Sequence, residues 1–351
     1  MGDFSRDFVA CAIDCLTDSH HPERRLWLTQ AACLLAASAV PSAFADTAAS
    51  YPAKPVRIVV PFAPGGATDV LARVTGNGLA SQLKQPVIIE NRPGGAGLIG
   101  GDVVAKATPD GHNLYLGTTS TMLSMQFLFK KMPFDPQTNF APVSRICWAP
   151  IVLVVNSELP VHTVNQLVEY IRASKGRLNY GSYGIGSHAH LAFVTLDKLA
   201  NGGMTHIAYK GEAPMTQELV GGSLKMGMGS TLSLKQHIES GKLRALAFTG
   251  AHRVPALQDI PTFEEAGFKQ EALRISGWLG VVATGGTPPE IVQKIGQAFR
   301  SALTQRDVNA RVLTAGFVPL SDDTPQKFAK NWIEEMAIWK RLLHEADVQP
   351  N

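Results

Sequence analysis

Cysteine is scarce in this sequence, and its scarcity removes several classes of protein. Three of the four cysteines, Cys11, Cys15 and Cys33, lie near the N-terminus, which leaves only Cys147 beyond residue 45. One thiol cannot form an intrachain disulfide or a cysteine-based zinc site. Cys147 lies in an apolar run, where a packing role is expected. We therefore predict neither a disulfide scaffold nor a metal site.

Charged and aromatic side chains are also sparse. Charged residues make up 17% of the chain and aromatic residues 7%, and the net charge is only +3. A nucleic-acid-binding surface needs clustered basic residues, often interleaved with aromatic ones, and no such run occurs. We predict that the chain has no nucleic-acid partner.

The common catalytic motifs are missing. Ser182, Ser187 and Ser230 each lack a glycine two residues upstream, so no GxSxG elbow exists, and neither HExxH nor CxxC occurs. His188 and His190 are two residues apart, which places them on different faces of a helix and makes them poor joint metal ligands. We predict that the protein is not an enzyme.

The first 45 residues have the pattern of a cleaved export signal. Arg24 and Arg25 precede an apolar run from Leu26 to Val40, and the segment ends in Ala-Phe-Ala at residues 43–45. A basic region, a short apolar region and a small-residue end are typical of a secretory signal peptide. The sequence predicts cleavage after Ala45 and a periplasmic protein exported by the Sec or twin-arginine route.

The rest of the chain is organised around a loop that joins a strand to a helix. The apolar run Val56–Val60 is followed by Pro-Phe-Ala-Pro-Gly-Gly-Ala-Thr-Asp at 61–69 and then by a helical pattern over Val70–Gln82. Adjacent glycines allow a sharp turn, and Thr68 or Asp69 is expected to cap the helix. The free amides of the first helical turn make this loop a candidate anion site.

A second loop of the same kind lies in the other half of the chain. Tyr-Gly-Ser-Tyr-Gly-Ile-Gly-Ser-His at 180–188 again follows a strand and precedes a helix, and it adds the hydroxyls of Ser182 and Ser187. Two such loops facing each other suit a ligand with one or two carboxylates. Lys210, at the end of a later strand, is a further candidate for pairing with an anion.

The order of predicted elements indicates an α/β protein with two lobes. Strands and helices alternate through both halves, as in parallel sheets with right-handed crossovers. The long apolar strands Ile146–Val155 and Ser276–Ala283 are expected to cross between the halves. We predict one lobe from residues 46–150 and 272–351, a second lobe from residues 151–271, and a ligand cleft between them.

A competing motif lies after the second strand. Residues 95–100 read Gly-Ala-Gly-Leu-Ile-Gly, which matches the GxGxxG dinucleotide fingerprint. The motif follows the second strand and not the first, and no acidic residue stands at the end of the next strand. We interpret it as a tight turn with close packing, and we predict no cofactor.

Several motifs occur together in an order and spacing that resemble a known family. They include the loop at 61–69, Glu-Asn-Arg-Pro-Gly-Gly-Ala-Gly at 90–97, Pro-Asp-Gly at 109–111, the loop at 180–188, Tyr-Lys-Gly at 209–211 and Gly-Gly-Thr-Pro-Pro at 285–289. The chain resembles the tripartite tricarboxylate transporter receptors, also called Bug receptors, through nearly all of residues 50–345. The resemblance implies a type II periplasmic binding-protein fold of two lobes that close on a carboxylate.

The resemblance also implies a set of ligand-binding positions. In this family the ligand carboxylate lies between the first glycine loop and the Gly-Ser loop of the second lobe, held largely by backbone amides and water. The loop after the third strand lines the cleft. Carried over to this sequence, the positions are Phe62, Ala63, Gly65, Gly66, Thr68, Asp69, Thr118, Ser120, Ser182, Gly184, Gly186, Ser187 and His188.

One departure from the family pattern concerns the far end of the ligand. Many members carry an Asp-Asn pair where this chain has Gly229 and Ser230. The missing acid argues against an amino-acid ligand and for an uncharged or carboxylate far end.

These observations predict a monomeric periplasmic receptor that captures a small carboxylate and delivers it to the permease subunits of a tripartite tricarboxylate-type transporter. Two alternatives stay open: a receptor that reports its ligand to a membrane signalling partner, and a secreted α/β hydrolase that uses Asp69 or His188.

Overall fold

A computed structural model describes residues 50–350 of the chain. The predicted signal peptide lies outside the described residues. Within them are eleven strands: β1 Val56–Val60, β2 Val87–Asn91, β3 Asn113–Thr118, β4 Phe140–Ala149, β5 Ile151–Asn156, β6 Asn179–Ser182, β7 Thr205–Ala208, β8 Met226–Ser230, β9 Leu243–Phe248, β10 Gly277–Thr284 and β11 Val318–Pro319.

The α-helices of the described residues after Tyr51 connect these strands. They are α1 Ala67–Leu83, α2 Leu98–Ala105, α3 Met125–Leu128, α4 Val164–Ser174, α5 His188–Ala200, α6 Glu212–Gly221, α7 Thr231–Glu239, α8 Glu271–Arg274, α9 Pro289–Leu303, α10 Arg306–Thr314 and α11 Pro325–Glu345. No helix in the described part combines the length and apolarity needed to cross a bilayer.

The strands form two separate sheets, which confirms the predicted two-lobed α/β fold. The first sheet has the order β11-β4-β10-β3-β1-β2, and the second has the order β7-β6-β8-β5-β9. In each sheet three strands joined through helices run parallel, β1 to β3 in the first and β6 to β8 in the second. The predicted lobe boundaries at residues 150 and 272 stay a prediction, although all strands of the second sheet lie between residues 151 and 248.

The first connection between the sheets is made by a single residue. The apolar run expected as one strand over Ile146–Val155 is split at Pro150, which separates β4 from β5. Proline has no amide hydrogen to donate to a ladder, so one sheet ends and the other begins there. The crossing was therefore predicted correctly, but the continuous strand was wrong.

The second expected crossing strand does not cross. β10, Gly277–Thr284, lies wholly in the first sheet, where it pairs antiparallel with both β3 and β4. Its continuous apolarity reflects burial in the middle of that sheet. The chain instead returns through the 28-residue segment 249–276, which includes α8.

Strand register places one edge of each sheet next to the crossing at Pro150. In the first sheet Thr118 at the end of β3 pairs with Leu279, and Ala149 at the end of β4 pairs with Gly277. After Pro150, Ile151 opens β5 and pairs with Ser230, the last residue of β8. The carboxyl ends of the parallel strands in both sheets therefore border the crossing, the usual position of ligands in α/β folds.

An apolar cluster continues from one lobe to the other. Phe328, Trp332 and Trp339 of α11 pack with Trp278 of β10 in the core of the first lobe. Leu191 of α5, from the second lobe, is 1% exposed and belongs to the same cluster. The C-terminal helix thus covers the first sheet and also contacts the second lobe.

Candidate functional site

The first glycine loop ends at a helix that has no side-chain cap. α1 begins at Ala67 with Gly66 as its N-cap, and no side chain bonds to the cap. The expectation that Thr68 or Asp69 caps α1 was wrong, because both lie inside its first turn. The amides of Ala67 and Thr68 have no carbonyl one turn earlier to which they can donate. Gly65 and Gly66 are exposed, so these amides border open space.

Asp69 holds the first glycine loop in its conformation through hydrogen bonds. Its side chain is 3% exposed and accepts hydrogen bonds from the Gly65 amide at 2.9 Å, from Arg73 at 3.0 and 3.1 Å, and from Asn91 at 2.9 Å. The Asn91 amide also donates to the Phe62 carbonyl at 3.0 Å. Burial alone would raise the pKa of Asp69, but these hydrogen bonds and the Arg73 charge lower it. Asp69 is therefore an ionised carboxylate that positions the loop.

The other two loops of the first lobe lie beside this one. A Cβ atom placed on Gly97 would be 2.6 Å from the Thr121 methyl and 3.3 Å from Pro61 Cβ. A Cβ atom placed on Gly100 would likewise lie 3.2 Å from the Arg92 carbonyl oxygen and 3.4 Å from Pro61 Cα. The GxGxxG motif is thus a packing element between three loops. Its glycines are needed because any side chain there would push the loops apart.

The loop after β3 is closed by its own hydroxyl groups. Thr118 and Thr121 exchange hydrogen bonds between their amides and side chains at 2.9 and 3.3 Å. The buried Thr119 side chain pairs with the backbone of Trp278 on β10. Ser120 is half-buried and begins a wide helical turn that leads into α3. These bonds hold Thr118 and Ser120 at the edge of the cleft.

The second glycine loop is held by a network that lies mostly inside the loop. Ser187 is the N-cap of α5, and its hydroxyl accepts from the His190 amide at 3.3 Å. The buried Ser182 hydroxyl donates to the Gly184 carbonyl at 2.9 Å and lies 2.7 Å from His206 Nε2. Gly184 has φ +153° and open space at its Cβ position. The Ala189 amide also hydrogen-bonds to Tyr183, so in the first turn of α5 the amide of His188 is the one left for another acceptor.

A stack of two imidazole rings supports this loop. His190 and His206 are parallel, with ring centroids 3.9 Å apart. His190 Nδ1 accepts from the Gly186 amide at 3.1 Å, so its neutral form must carry the proton on Nε2. Burial, followed by the neighbouring His206, lowers the pKa of His190 to about 4, and burial also lowers the pKa of His206. Both rings are neutral at pH 7.

His188 turns away from the cleft. Its side chain is 3% exposed, its Nε2 donates to the Ala272 carbonyl at 2.9 Å, and its ring meets the edge of Trp339 at 5.6 Å. Burial lowers its pKa to about 4. The imidazole of His188 therefore anchors α5 to residues that pack with the first lobe.

The lobes touch at Gly186. A Cβ atom on Gly186 would lie 2.7 Å from Leu128 Cδ1 of α3 and 3.1 Å from Leu343 Cδ2 of α11. Because α3 continues from the turn that begins at Ser120, this contact brings the second glycine loop next to the third loop of the first lobe. The second glycine loop therefore lies near the loop after β3, which itself packs beside the first glycine loop.

This contact gives a first prediction. Gly186→Ala should lower the free energy of unfolding by about 1–3 kcal/mol, because the added methyl group overlaps Leu128. In a Leu128→Ala background the same change should cost at least about 1 kcal/mol less. Urea unfolding of the four proteins measures this coupling. Gly65→Ala, which also has positive φ but meets nothing within 4 Å, controls for backbone strain. An equal cost in both backgrounds would contradict the contact.

The remaining predicted residues lie at the same edge of the second sheet. Lys210 is exposed, Gly229 is buried in β8, and Ser230 caps α7. The Glu212 carboxylate lies next to Gly229 and Ser230, and it accepts from the amide of Ser230 at 3.0 Å. Sequence reasoning found no role for Glu212, although an acid that opens a helix after a strand is a recognisable signal.

Other residues of the site were also missed. Asn91 ends β2 at the carboxyl edge, so the strand-end criterion that selected Thr118 would have found it. Arg73 is one helical turn after Asp69, a spacing that predicts an ion pair. His206 lies within β7 and gives no local signal, because its contact with Ser182 depends on strand pairing.

Two surface cavities lie away from these loops. One, of about 310 Å³, is at the crossing and is lined by Trp148, Gly250, Ser276, Glu335 and Trp339 among others. Another, of about 440 Å³, lies between α5 and the end of α11. Neither is lined by the two glycine loops, so the candidate site rests on strand topology and free amides and not on an enclosed pocket.

Comparison with known proteins points to one family. The family model described as the tripartite tricarboxylate transporter family receptor matches residues 71–348. Among solved structures, the periplasmic binding protein BugD is 30% identical with a TM-score of 0.76, over 86% of this chain and 100% of BugD.

Two solved structures similar to this chain carry organic acids. MatC from Rhodopseudomonas palustris with bound malate is 30% identical with a TM-score of 0.73, over 84% of this chain and 100% of MatC. A second R. palustris protein, with adipate, is 32% identical with a TM-score of 0.77, over 86% of this chain and 100% of that protein.

Proposed function

This chain belongs to the tripartite tricarboxylate transporter receptor family, and from that premise we propose that it captures a small carboxylate in the periplasm and presents it to membrane permease subunits. The family is one of receptors and not of enzymes. The export signal predicted over residues 1–45, read by the Sec or twin-arginine route, accounts for the periplasmic location.

The observation that carries the proposal is the pair of helix starts at the sheet edges next to the crossing. α1 and α5 begin on opposite lobes; α1 has no side-chain cap and offers the amides of Ala67 and Thr68, and α5 offers the amide of His188. Helix N-termini favour carboxylates because their amides and dipoles point at the anion. The acids bound by the two R. palustris proteins support the same ligand class here.

The mechanism follows from the division of the site between lobes. Each lobe offers one cradle, meaning its glycine loop together with the start of the helix that follows. An anion that contacts one cradle gains part of the available donors, and it gains the rest only when the lobes are closed. A ligand that binds the closed form better shifts the population toward it. The closed surface is then what a permease recognises.

The test is a thermal-shift screen of mono-, di- and tricarboxylates with the secreted protein. A ligand at 100 times its dissociation constant stabilises the folded state by about 2.7 kcal/mol, which raises the melting temperature measurably. X-ray scattering should show compaction with the same ligand. If no carboxylate stabilises the protein, the proposal fails.

The double variant Asp69→Ala with Ser187→Ala gives a second prediction. Asp69 positions the first cradle and Ser187 caps the helix of the second, so their joint loss should weaken carboxylate binding about 10- to 100-fold. Calorimetric titration measures the affinity, and circular dichroism checks that the fold is kept. Ser81→Ala with Asp259→Ala, both exposed and far from the loops in sequence, is the control. Unchanged affinity would remove these loops from the site.

A further inference from the structure

Glu212 reaches from its own helix to the start of the next one. It is the first residue of α6, yet its Oε1 accepts from the Ser230 amide at 3.0 Å. Its Oε2 accepts from the Ser230 and Ser233 hydroxyls, both at 2.5 Å. Ser230 is the N-cap of α7. The chain's own carboxylate therefore occupies the anion-favouring start of α7.

Gly229 provides the room for this carboxylate. A Cβ atom placed on Gly229 would lie 3.6 Å from the Glu212 carboxyl carbon. A larger side chain at position 229 would therefore compete with Glu212 for the same space. The sequence predicted that no acid lies at the end of β8. No acid follows β8 in the sequence, but the structure places Glu212 of α6 there.

The Glu212 charge lies next to the second glycine loop. β6 and β8 are neighbouring parallel strands with Gly181 level with Gly227, so Ser230 lies two residues beyond the level of Ser182 and the two strand ends are about 8 Å apart. Ser182 ends β6 and begins the glycine loop, and Ser230 ends β8 beside the carboxylate. The pKa of Tyr183, in that loop, is raised by burial and then by the charge of Glu212. A fixed negative charge thus borders the cradle of the second lobe.

We propose that Glu212 is a specificity-determining residue, which excludes a second ligand carboxylate from the β8 end of the cleft and favours ligands whose far end is uncharged or cationic. This inference rests on the proposed carboxylate receptor function. Two negative charges within a few ångströms repel strongly where water is partly excluded. Lys210 is the nearest basic residue in sequence, but it is exposed, so water screens its charge.

The experiment compares acids that differ only at the far end. Calorimetry at pH 7.5 would use butyrate, 4-hydroxybutyrate, 4-aminobutyrate and succinate, and a six-carbon set of hexanoate, 6-hydroxyhexanoate, 6-aminohexanoate and adipate. The wild-type protein should bind the acids with neutral or cationic ends at least about 10-fold more tightly than the dicarboxylate of the same set.

Glu212→Gln keeps the size of the side chain and removes its charge. It should tighten dicarboxylate binding about 10-fold, weaken binding of the amino acids by a similar factor, and leave butyrate and hexanoate unchanged. The difference between variant and wild type should shrink in 1 M NaCl, where charges are screened within about 3 Å. Glu239→Gln, an exposed acid at the other end of α7, is the control and should change none of these affinities.

The outcomes separate the two proposals. Dicarboxylates that bind the wild type as well as the matched amino acids, or an unchanged preference in Glu212→Gln, would overturn the role of Glu212 and leave the receptor function standing. Binding of none of the eight acids by either protein, together with no stabilisation by any tricarboxylate in the thermal-shift screen, would overturn the receptor function, and this inference with it.

Discussion

Replacing Asp323 with alanine is expected to lower the free energy of unfolding by about 3–5 kcal/mol, because it removes the fully buried carboxylate that pairs with the Arg145 guanidinium. The two side chains are 4% and 0% exposed. Arg145 donates from Nη2 to Oδ1 at 2.9 Å and from Nε to Oδ2 at 3.2 Å, and its backbone amide also donates to Oδ2.

This ion pair belongs to a network at the base of the lobe crossing. Arg145 Nη1 also donates to Glu335 of α11 at 3.1 Å, and Glu335 accepts from Trp278 Nε1 at 2.5 Å. Arg145 is on β4 and Trp278 is on β10, so the network fastens two adjacent strands to the C-terminal helix. Burial raises the pKa of Glu335 despite these partners. Since β4 runs directly into the Pro150 crossing, losing the network should also make the connection between the two lobes more mobile.

Urea unfolding measures the loss, and the neighbouring residue supplies the control. Asp322 is exposed and pairs with Lys327 at 2.8 Å. Asp322→Ala should cost no more than about 1 kcal/mol, as is usual for surface ion pairs. If Asp323→Ala were as mild as Asp322→Ala, the buried pair would not carry the stability assigned to it.

Acidification from pH 7 to pH 4 is expected to destabilise the protein by about 3 kcal/mol for each of His188 and His190. The pKa of each is lowered by burial to about 4, from a usual 6.5 in an unfolded chain. Between those values the unfolded chain binds protons that the folded one does not. The stabilisation is therefore complete above pH 6.5, falls as the pH drops toward 4, and is lost below it.

Ligand affinity should fall only as the pH approaches 4, where His190 of the folded protein takes up its proton. His190 Nδ1 accepts the Gly186 amide hydrogen, and a protonated ring has only donors to offer. The second glycine loop would then lose one of the bonds that shape it.

Melting temperatures and carboxylate affinities between pH 7.5 and 4 measure both effects. His190→Asn replaces the ring acceptor with an amide oxygen that does not titrate, so it should flatten part of the pH dependence. His252→Asn, at an exposed position, should leave the profile unchanged. A melting temperature that stays constant down to pH 4.5 would contradict the burial of these imidazoles.

Local features of this chain could be predicted from its sequence, and long-range ones could not. The cap of α4 by Thr163 is such a local feature, because its hydroxyl accepts from an amide only three residues ahead. Both strand–glycine–helix loops were found for the same reason. The opposite case is Glu212, whose three donors come from residues 230 and 233. That contact depends on which strands are neighbours, a property that no short window of sequence contains.

The directions of side chains were a second property that could not be predicted from the sequence. The family resemblance placed both His188 and Asp69 among the ligand-binding positions. The structure turns the His188 ring toward Trp339 and the Asp69 carboxylate back toward Gly65. Rotamers and packing partners set these directions, and they are settled only when the other lobe or the neighbouring strand is in place.

The donors at the starts of α1 and α5 belong to the peptide backbone, and this affects how the gene can change. A missense mutation replaces a side chain and normally leaves the amide hydrogen intact, so both cradles tolerate sequence drift at most of their positions. Proline is the exception, because it alone removes that hydrogen. It is also well accepted at the first position of a helix, which is Ala67 in α1. A substitution of Ala67 by proline could therefore remove one donor and leave the helix intact. Alanine scanning would not detect this route to divergence, because alanine keeps the amide hydrogen.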